Sequence, residues 1–461
     1  MQHLRRFLSV LLVLLFVTQT TTYVSAAEPI NEARDIIRKY YVEDVPDWVL
    51  NKPTIKEITK YLDPYSVYMT VEEFKEFTNA IENQFVGIGV MIEEDPRGVK
   101  ILTVYPGSPA ERAGIQTGDV ITNINGQALA GESVQTVISS LSGEEKTPVT
   151  LTYLRPDTGQ SFTQTLVREV IQLQNVEYEM LGGNIGYVRL NSFALDSAKD
   201  ISAAIRKLKG AKGWIFDLRD NGGGYVSAAQ EVEGFFPNVT KAFQLRDKSN
   251  KSYVFNAIPQ PVKFTAPVHI LINGYSASAS EMVAASVKEQ KGAVLYGQNS
   301  FGKGSMQSFF QLSDKSVLKL TTAKFFSPKG VQIHHVGVAP NVKTAEGEEL
   351  LVSHHDQLIR LIRGYKKLPA LQNVPVNKTF TIKMNMKMNW TGITASDVQL
   401  IQLGGKEVPV DVQALDEKTI KITPKQNLQS KGKYLLIVHP KWKAQNTRQM
   451  KQGIYLDVTV N

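Results

Sequence analysis

The sequence contains no cysteine. That absence excludes disulfides, thiol catalysis and a lipid-modified N-terminal cysteine, so stability must come from packing. Dense basic blocks are also missing. The formal charge of +8 is spread along 461 residues as ordinary lysine-rich surface, compatible with work near an anionic envelope, and no nucleic-acid partner is expected. Histidine is scarce, at seven residues, and no GxSxG elbow occurs, which disfavours a Ser-His-Asp triad. The chain has no tandem repeat and no low-complexity tract. After the first segment, no stretch approaches the roughly 20 apolar residues that a spanning helix needs.

What is present begins with an address. Arg5 and Arg6 precede an apolar run from Phe7 to Val17, a polar stretch follows from Thr18 to Tyr23, and Val24-Ser25-Ala26 ends on small residues. This pattern predicts a signal peptide over 1–26, cleaved after Ala26, and hence an exported protein, secreted or associated with the cell envelope. With 42% apolar and 21% charged residues the remainder reads as folded. Its length allows roughly three domains at about 150 residues each.

Residues 27–82 read as helical, with Ile36, Ile37, Tyr40 and Tyr41 at helical spacing, a turn at Leu62-Asp63-Pro64-Tyr65-Ser66, and Thr70 as an N-cap before Val71. So small a piece has little core of its own, so it should pack on a neighbour or pair two copies as a homodimer. Residues 83–170 change to short strands with glycine punctuation. There Val86-Gly87-Ile88-Gly89 leads into a strand, SPAERAG makes a turn and short helix, GDVITNING a strand and Asn-Gly turn, and 133–141 an amphipathic helix. This order resembles a PDZ domain. The resemblance implies that Val86, Gly87, Ile88 and Gly89 hold a peptide's C-terminal carboxylate while the following strand pairs with the peptide.

Residues 171–345 alternate apolar strands with helices and predict an α/β core. A charged connecting helix and linker are expected over 346–370. The stretch 371–461 reads as a β-sandwich resembling Ig-like modules, with Phe380, Ile382, Met384, Met386, Met388 and Trp390 alternating as one strand face. The three methionines are read as that face and not as a metal site.

The chemistry concentrates between Ile272 and Gln307. An apolar strand, Val268 to Ile272, ends at Asn273-Gly274-Tyr275-Ser276-Ala277-Ser278-Ala279-Ser280-Glu281, where an amphipathic helix begins. A serine at such a strand-to-helix turn has its hydroxyl on a rigid edge, with helix N-terminal amides nearby for an oxyanion. Residue chemistry alone does not choose among the three serines. Only His334 and His335 remain as histidine bases. Lys303, between Gly302 and Gly304, is the better base, since burial favours its neutral amine. Gln307, four residues on, is placed to orient that amine.

SASASEM, with the lysine of NSFGKGSMQ 25 residues after Ser278, is similar to the signature of carboxyl-terminal processing peptidases, also called tail-specific proteases. The resemblance extends over residues 28 to about 345, including LDPYSVYMTVEEF. It implies a multidomain α/β protein with a ClpP/crotonase-like core, acting as a serine endopeptidase on polypeptides with free C-termini, without metal or organic cofactor. It makes Ser278 the nucleophile, Lys303 the general base, Gln307 the third member, and Gly224 (or Gly223) with Ala279 the oxyanion donors. The family's usual proline is Gly222 here. Two rival readings remain. Gly297 to Lys303 spells GxxxxGK, but Gly304 stands where a magnesium-binding hydroxyl would be. The other is an inactive scaffold whose PDZ and Ig-like parts bind peptide or envelope.

Overall fold

A computed structural model describes residues 29–265 and 267–461, so the expected signal peptide lies outside the described residues. The chain divides into two compact units, one of 69–175 and one that joins the preceding residues to 176–461.

In the larger unit a six-stranded sheet runs in the order Val176–Leu181, Ile185–Leu190, Gly213–Asp217, Val268–Ile272, Val294–Gly297, Val342–Lys343. The first pair is antiparallel and every later pair parallel. The central strands are apolar on both faces because both faces are covered. Val268, Ile270 and Ile272 point into a core shared with the helices Ser197–Lys207, Val226–Glu233 and Ala279–Glu289. Leu271, one residue out of phase, points the other way, toward Leu358 and Ile362. The helix Glu349–Leu361 is therefore not the charged connector expected from sequence. It buries Glu349, Ser353, His354, Gln357 and Leu358, and its charges are spent on internal bonds. His354 is likewise inside the fold, joined to the Gly182 carbonyl and accepting from the Gly404 N–H.

A second sheet carries Ser305–Gln311, Val317–Phe326, Lys241–Asp247 and Ser252–Asn256. Leu318 and Leu320 of its long strand pack under Ala33, Ile37, Leu50, Ile55 and Ile58 of the N-terminal helices. That helical piece thus finds its core on a neighbour within the chain. Val67–Met69 within the stretch expected to be helical is a short strand.

Past the helix the chain forms short strands around Ile454–Val460 and Lys433–Val438. The alternating methionine run is not one strand. Phe380–Lys383 pairs with Thr419–Pro424, whereas Met388–Asn389 pairs with Lys443–Ala444, so the run breaks where it changes partner. Its apolar side chains still pack on one core. Ile401, Leu435 and Ile437 face the other way and complete the cluster around Leu358.

The smaller unit is a sheet ordered Val90–Asp95, Gly98–Val104, Val120–Ile124, Pro148–Arg155, Gln160–Val167, with Ser133 capping the helix Val134–Leu141. The buried Arg168 guanidinium donates to Leu141 and Ser140 carbonyls at that helix's C-terminal end. Of the four residues that the resemblance assigns to the peptide's carboxylate, Val86 and Gly87 lie in a strand paired with Val170 and Glu169. Only Ile88 and Gly89 form the turn, Gly89 at φ +82° with Ser108 packed where a Cβ would stand. The Ile88 and Gly89 amides have no acceptor among the described residues, and Val90–Asp95 is the edge strand of its sheet.

Candidate active site

The strand Val268–Ile272 delivers the chain to a turn in which Ser278 is the residue before the helix Ala279–Glu289. Ser278 sits at φ 56°, ψ −113°, a conformation costing an L-residue about 1–3 kcal/mol and kept only where surroundings over-determine it. The three serines now separate. Ser276 donates to the Leu218 carbonyl at 2.8 Å and Ser280 to the Asn221 carbonyl at 2.9 Å, both buried. The Ser280 bond ties the serine turn to the glycine turn Asn221–Gly224, and the Ser276 bond ties it to the residue after the strand Gly213–Asp217. Ser278 is the N-cap of the helix, its side chain turned to the Glu281 backbone in a capping box, and its Oγ donates no hydrogen bond among the described residues.

The glycine turn lies directly against it. A Cβ on Gly223 would stand 2.8 Å from Ser278 Cβ and 3.0 Å from the Ala279 nitrogen, whereas Gly222, at the family's proline position, has nothing within 4 Å. The Gly223 N–H is taken by Asn221 Oδ1 at 2.9 Å. Among the described residues the N–H of Gly224, which is bridged to Phe193, has no acceptor, nor has that of Ala279 at the first helical position. Of the two glycines held open by sequence, Gly224 is the one with an available donor.

Beneath this turn the strand Gly213–Asp217 ends on a buried carboxylate. Asp217 accepts from Arg219 Nε at 2.9 Å and Tyr187 Oη at 2.7 Å, and Arg219 also donates to Glu349 at 3.0 Å. Burial alone would push the Asp217 carboxyl up, but Arg219 and Arg189 beside it hold it below its ordinary range. The turn is thereby pinned from below.

Lys303 belongs to the loop before Ser305–Gln311. Burial pushes its amine below the ordinary lysine range, against the pull of Asp63 and Glu281. Its Nζ lies 4.8 Å from the centre of the Tyr65 ring, and no hydrogen bond joins it to Ser278 among the described residues. No hydrogen bond joins Gln307 to Lys303 among the described residues. The amide of Gln307 donates to Ser305 and Thr321, each at 3.1 Å. Positions 303 and 307 do not share a strand face, because Lys303 lies in the loop before the strand Ser305–Gln311.

Three residues given no role by sequence complete the site. Glu281 is fully buried, and its Oε2 accepts from the Ser278 N–H at 2.8 Å and the Lys303 N–H at 2.9 Å. Its Oε1 accepts from Ser300 Oγ and the Gly302 N–H, both at 2.6 Å. Burial raises its pKa against these four donors. An acid three residues after an N-cap serine is the sequence signal that points to it. Asp63 accepts from Thr321 Oγ1 at 3.0 Å and Ser66 Oγ at 2.6 Å, and with Tyr65 brings the LDPYS turn to the lysine. Nothing in local spacing announces that approach across more than two hundred residues.

The rivals fare differently. The GxxxxGK stretch leads into a strand, and its Gly302 and Lys303 amides are spent on Glu281, so it has no anion cradle. His334 packs on Gly304 and His335 bonds through its backbone to Gly302. Among the described residues neither is bonded to Ser278, and burial lowers the His334 pKa.

Comparison with known proteins gives the same direction. The pattern of peptidase family S41 matches residues 184–344 and that of a PDZ domain residues 100–155. The chain is 35% identical over 322 residues to the carboxy-terminal processing protease CtpA of Bacillus subtilis, covering 69% of each. It is 31% identical over 325 residues to CtpB of the same organism, covering 69% of this chain and 67% of that one. Among solved structures it is similar to a photosystem II D1 C-terminal processing protease, at TM-score 0.46 and 26% identity over 72% of this chain and 96% of the other.

Proposed function

This chain belongs to peptidase family S41 as a serine peptidase of the carboxy-terminal processing type, and from that premise we propose that it is exported and cleaves polypeptides near their C-termini by a Ser278–Lys303 acyl-enzyme mechanism. The observation that carries the reading is the buried Glu281 carboxylate, which holds the Ser278 turn and the loop of a buried lysine together.

In the first step neutral Lys303 Nζ takes the Ser278 proton as Oγ bonds to the scissile carbonyl carbon. The carbonyl oxygen gains the negative charge and lies between the Gly224 and Ala279 N–H groups. Collapse breaks the C–N bond, and the lysine proton passes to the leaving amine. Water then repeats the sequence on the ester, releasing the new C-terminus and restoring the serine. The long lysine stem must swing from the Tyr65 ring to reach Oγ, a tightening expected when substrate binds.

The smaller unit supplies tail recognition in this reading, through the open Ile88 and Gly89 amides and the edge strand Val90–Asp95. Export is supported by the leader pattern of residues 1–26, and a homodimer by the outward Trp48 and Tyr61 of the N-terminal helices. The Ig-like reading of 371–461 rests on its strand spacing.

The test is cleavage of an unfolded polypeptide with a free apolar C-terminus. Ser278→Ala and Lys303→Ala should each abolish turnover with unchanged circular dichroism. Turnover retained by either purified variant refutes the pair. N-terminal sequencing of exported protein should begin at Ala27, and light scattering should give twice the chain mass.

A further inference from the structure

Cations that are scattered along the sequence gather at one end of the core sheet. The strands Gly213–Asp217, Val268–Ile272 and Val294–Gly297 run parallel and adjacent, and the glycine and serine turns follow the carboxyl ends of the first two. Their amino ends form the opposite pole, roughly 15 Å away along the strands. The segments that lead into them, 208–212, 257–267 and 290–293, contain Lys209, Lys212, Lys263 and Lys291 and no Asp or Glu. All four lysines are exposed. Neighbouring strands lie about 4.8 Å apart, so the three segments reach the sheet within roughly 10 Å of one another.

Two helices end at the same pole. Ser197–Lys207 stops just before the first of these segments, and Glu349–Leu361 runs down from the active end, where Glu349 meets Arg219, to the Lys212 carbonyl, which accepts from Arg360 at 2.6 Å. Arg363 and Lys366 follow, both exposed, and residues 357–396 hold no acid. The nearby carboxylates are already engaged: Asp356 accepts from Tyr296 and lies 3.6 Å from His355, and Asp457 pairs with His355 and Lys367. The buried carboxylates Asp217, Glu281 and Glu349 lie at the other end of the sheet. Cations in a helix's last turn complement its dipole, which accounts for Lys207 and Arg360. It does not account for lysines before three strands, or for Arg363 and Lys366 beyond a helix end.

We propose that this pole is a docking face for an anionic phospholipid bilayer, which holds the protein on a membrane surface with the serine turn at the far end of the sheet. The cations are spread over separate strand approaches and helix ends, which suits an array of phosphates better than one small anion. Each Lys or Arg beside an anionic surface strengthens attachment by about fivefold. The face is independent of Ser278 and Lys303 as catalytic groups.

The experiment is vesicle sedimentation with the full chain, every variant carrying the same leader so that a difference between variants belongs to this face. Wild type should bind phosphatidylcholine vesicles containing phosphatidylglycerol at least about tenfold more tightly than pure phosphatidylcholine, and lose most of that preference as salt rises from about 0.05 to about 0.3 M. The combined variant Lys209→Gln, Lys212→Gln, Arg363→Gln should bind the anionic vesicles about a hundredfold more weakly, the product of three such factors. Lys60→Gln, Lys75→Gln and Lys343→Gln together remove the same charge from exposed positions elsewhere and should stay within about threefold. The docking variant should still cleave a soluble unfolded polypeptide at the wild-type rate, so lost attachment and a failed catalytic reading are seen separately. Equal wild-type binding to neutral and anionic vesicles, an equal loss in the control variant, or tighter binding to soluble polyphosphate than to vesicles at equal phosphate concentration overturns the proposal. Should the combined variant not fold, Lys209→Gln and Arg363→Gln singly decide it, at about fivefold each.

Discussion

Glu281→Gln asks how much of the active geometry depends on one buried group. The carboxylate accepts four hydrogen bonds, two on each oxygen, from Ser278 and Lys303 on one side and from Ser300 and Gly302 on the other. A carboxamide keeps one acceptor oxygen. Whichever way it is turned, its NH2 faces two donors that no longer have an acceptor. Leaving a buried donor unsatisfied costs about 1–3 kcal/mol, so two cost about 2–6 kcal/mol before any loss of charge assistance. If the Ser278 turn relaxes from its positive φ to relieve the conflict, that free energy appears in catalysis as a fall in kcat/KM of about thirtyfold to more than ten-thousandfold. If the turn holds, it appears instead as lost stability. The assay pairs peptide cleavage with urea unfolding of the same samples, so that the two losses together account for the expected range. A Glu281→Gln enzyme within threefold of wild-type kcat/KM and with an unchanged unfolding midpoint would refute the reasoning.

Three further outcomes are expected. Gly223→Ala should lose at least about a hundredfold in activity, because its Cβ meets Ser278 at 2.8 Å and its φ is +107°; Gly222→Ala, with open space, should stay within about threefold, and equal effects in cleavage assays would mean the turn does not position the serine. Burial holds His269 and His354 down to about 4, so each is a base whose folded pKa lies below its unfolded value near 6.5. Their neutral forms are fully compatible with the fold above that value, and stability is lost as pH falls from 6.5 towards 4, by on the order of 3 kcal/mol each. Urea midpoints at pH 7.5 and 4.5 should show the drop, and His354→Asn should flatten it. Calorimetry of an apolar-ended peptide should show at least about tenfold tighter binding for the free acid than for its amide, the scale of charge-assisted bonds to two amides; equal affinities would leave Ile88-Gly89 as a turn only.

How much could be seen beforehand follows from the range of the interactions. Strand-to-helix passages such as Ile272 to Glu289 were legible because hydrophobic period and turn chemistry are local. So were the caps Ser133 and Thr70, whose bonds span three residues, whereas the roles of Ser278 and Lys303 rest on a motif. The spacing of Lys303 and Gln307 carries no facing information, since Lys303 lies in a loop where a strand's two-residue period does not hold. The helix Glu349–Leu361 looked like a surface connector since its buried Glu349 and His354 find partners far away in sequence, at Arg219 and Gly182. Asp63 and Tyr65 belong to the same class. Their meeting with Lys303 exists only after two sheets and the N-terminal helices have assembled.

The packing around Leu358 also governs how separable the parts of this molecule are. Ile401, Leu435 and Ile437 from the C-terminal strands lie in the same apolar cluster as Leu181, Ile185, Ile215 and Leu271 of the core sheet. A chain stopped at the linker near residue 370 would keep every catalytic group named above yet leave that face bare to water. The C-terminal strands are therefore no detachable accessory. Anyone engineering a minimal protease from this scaffold would have to repaint the outer face with polar side chains, or accept a product that self-associates.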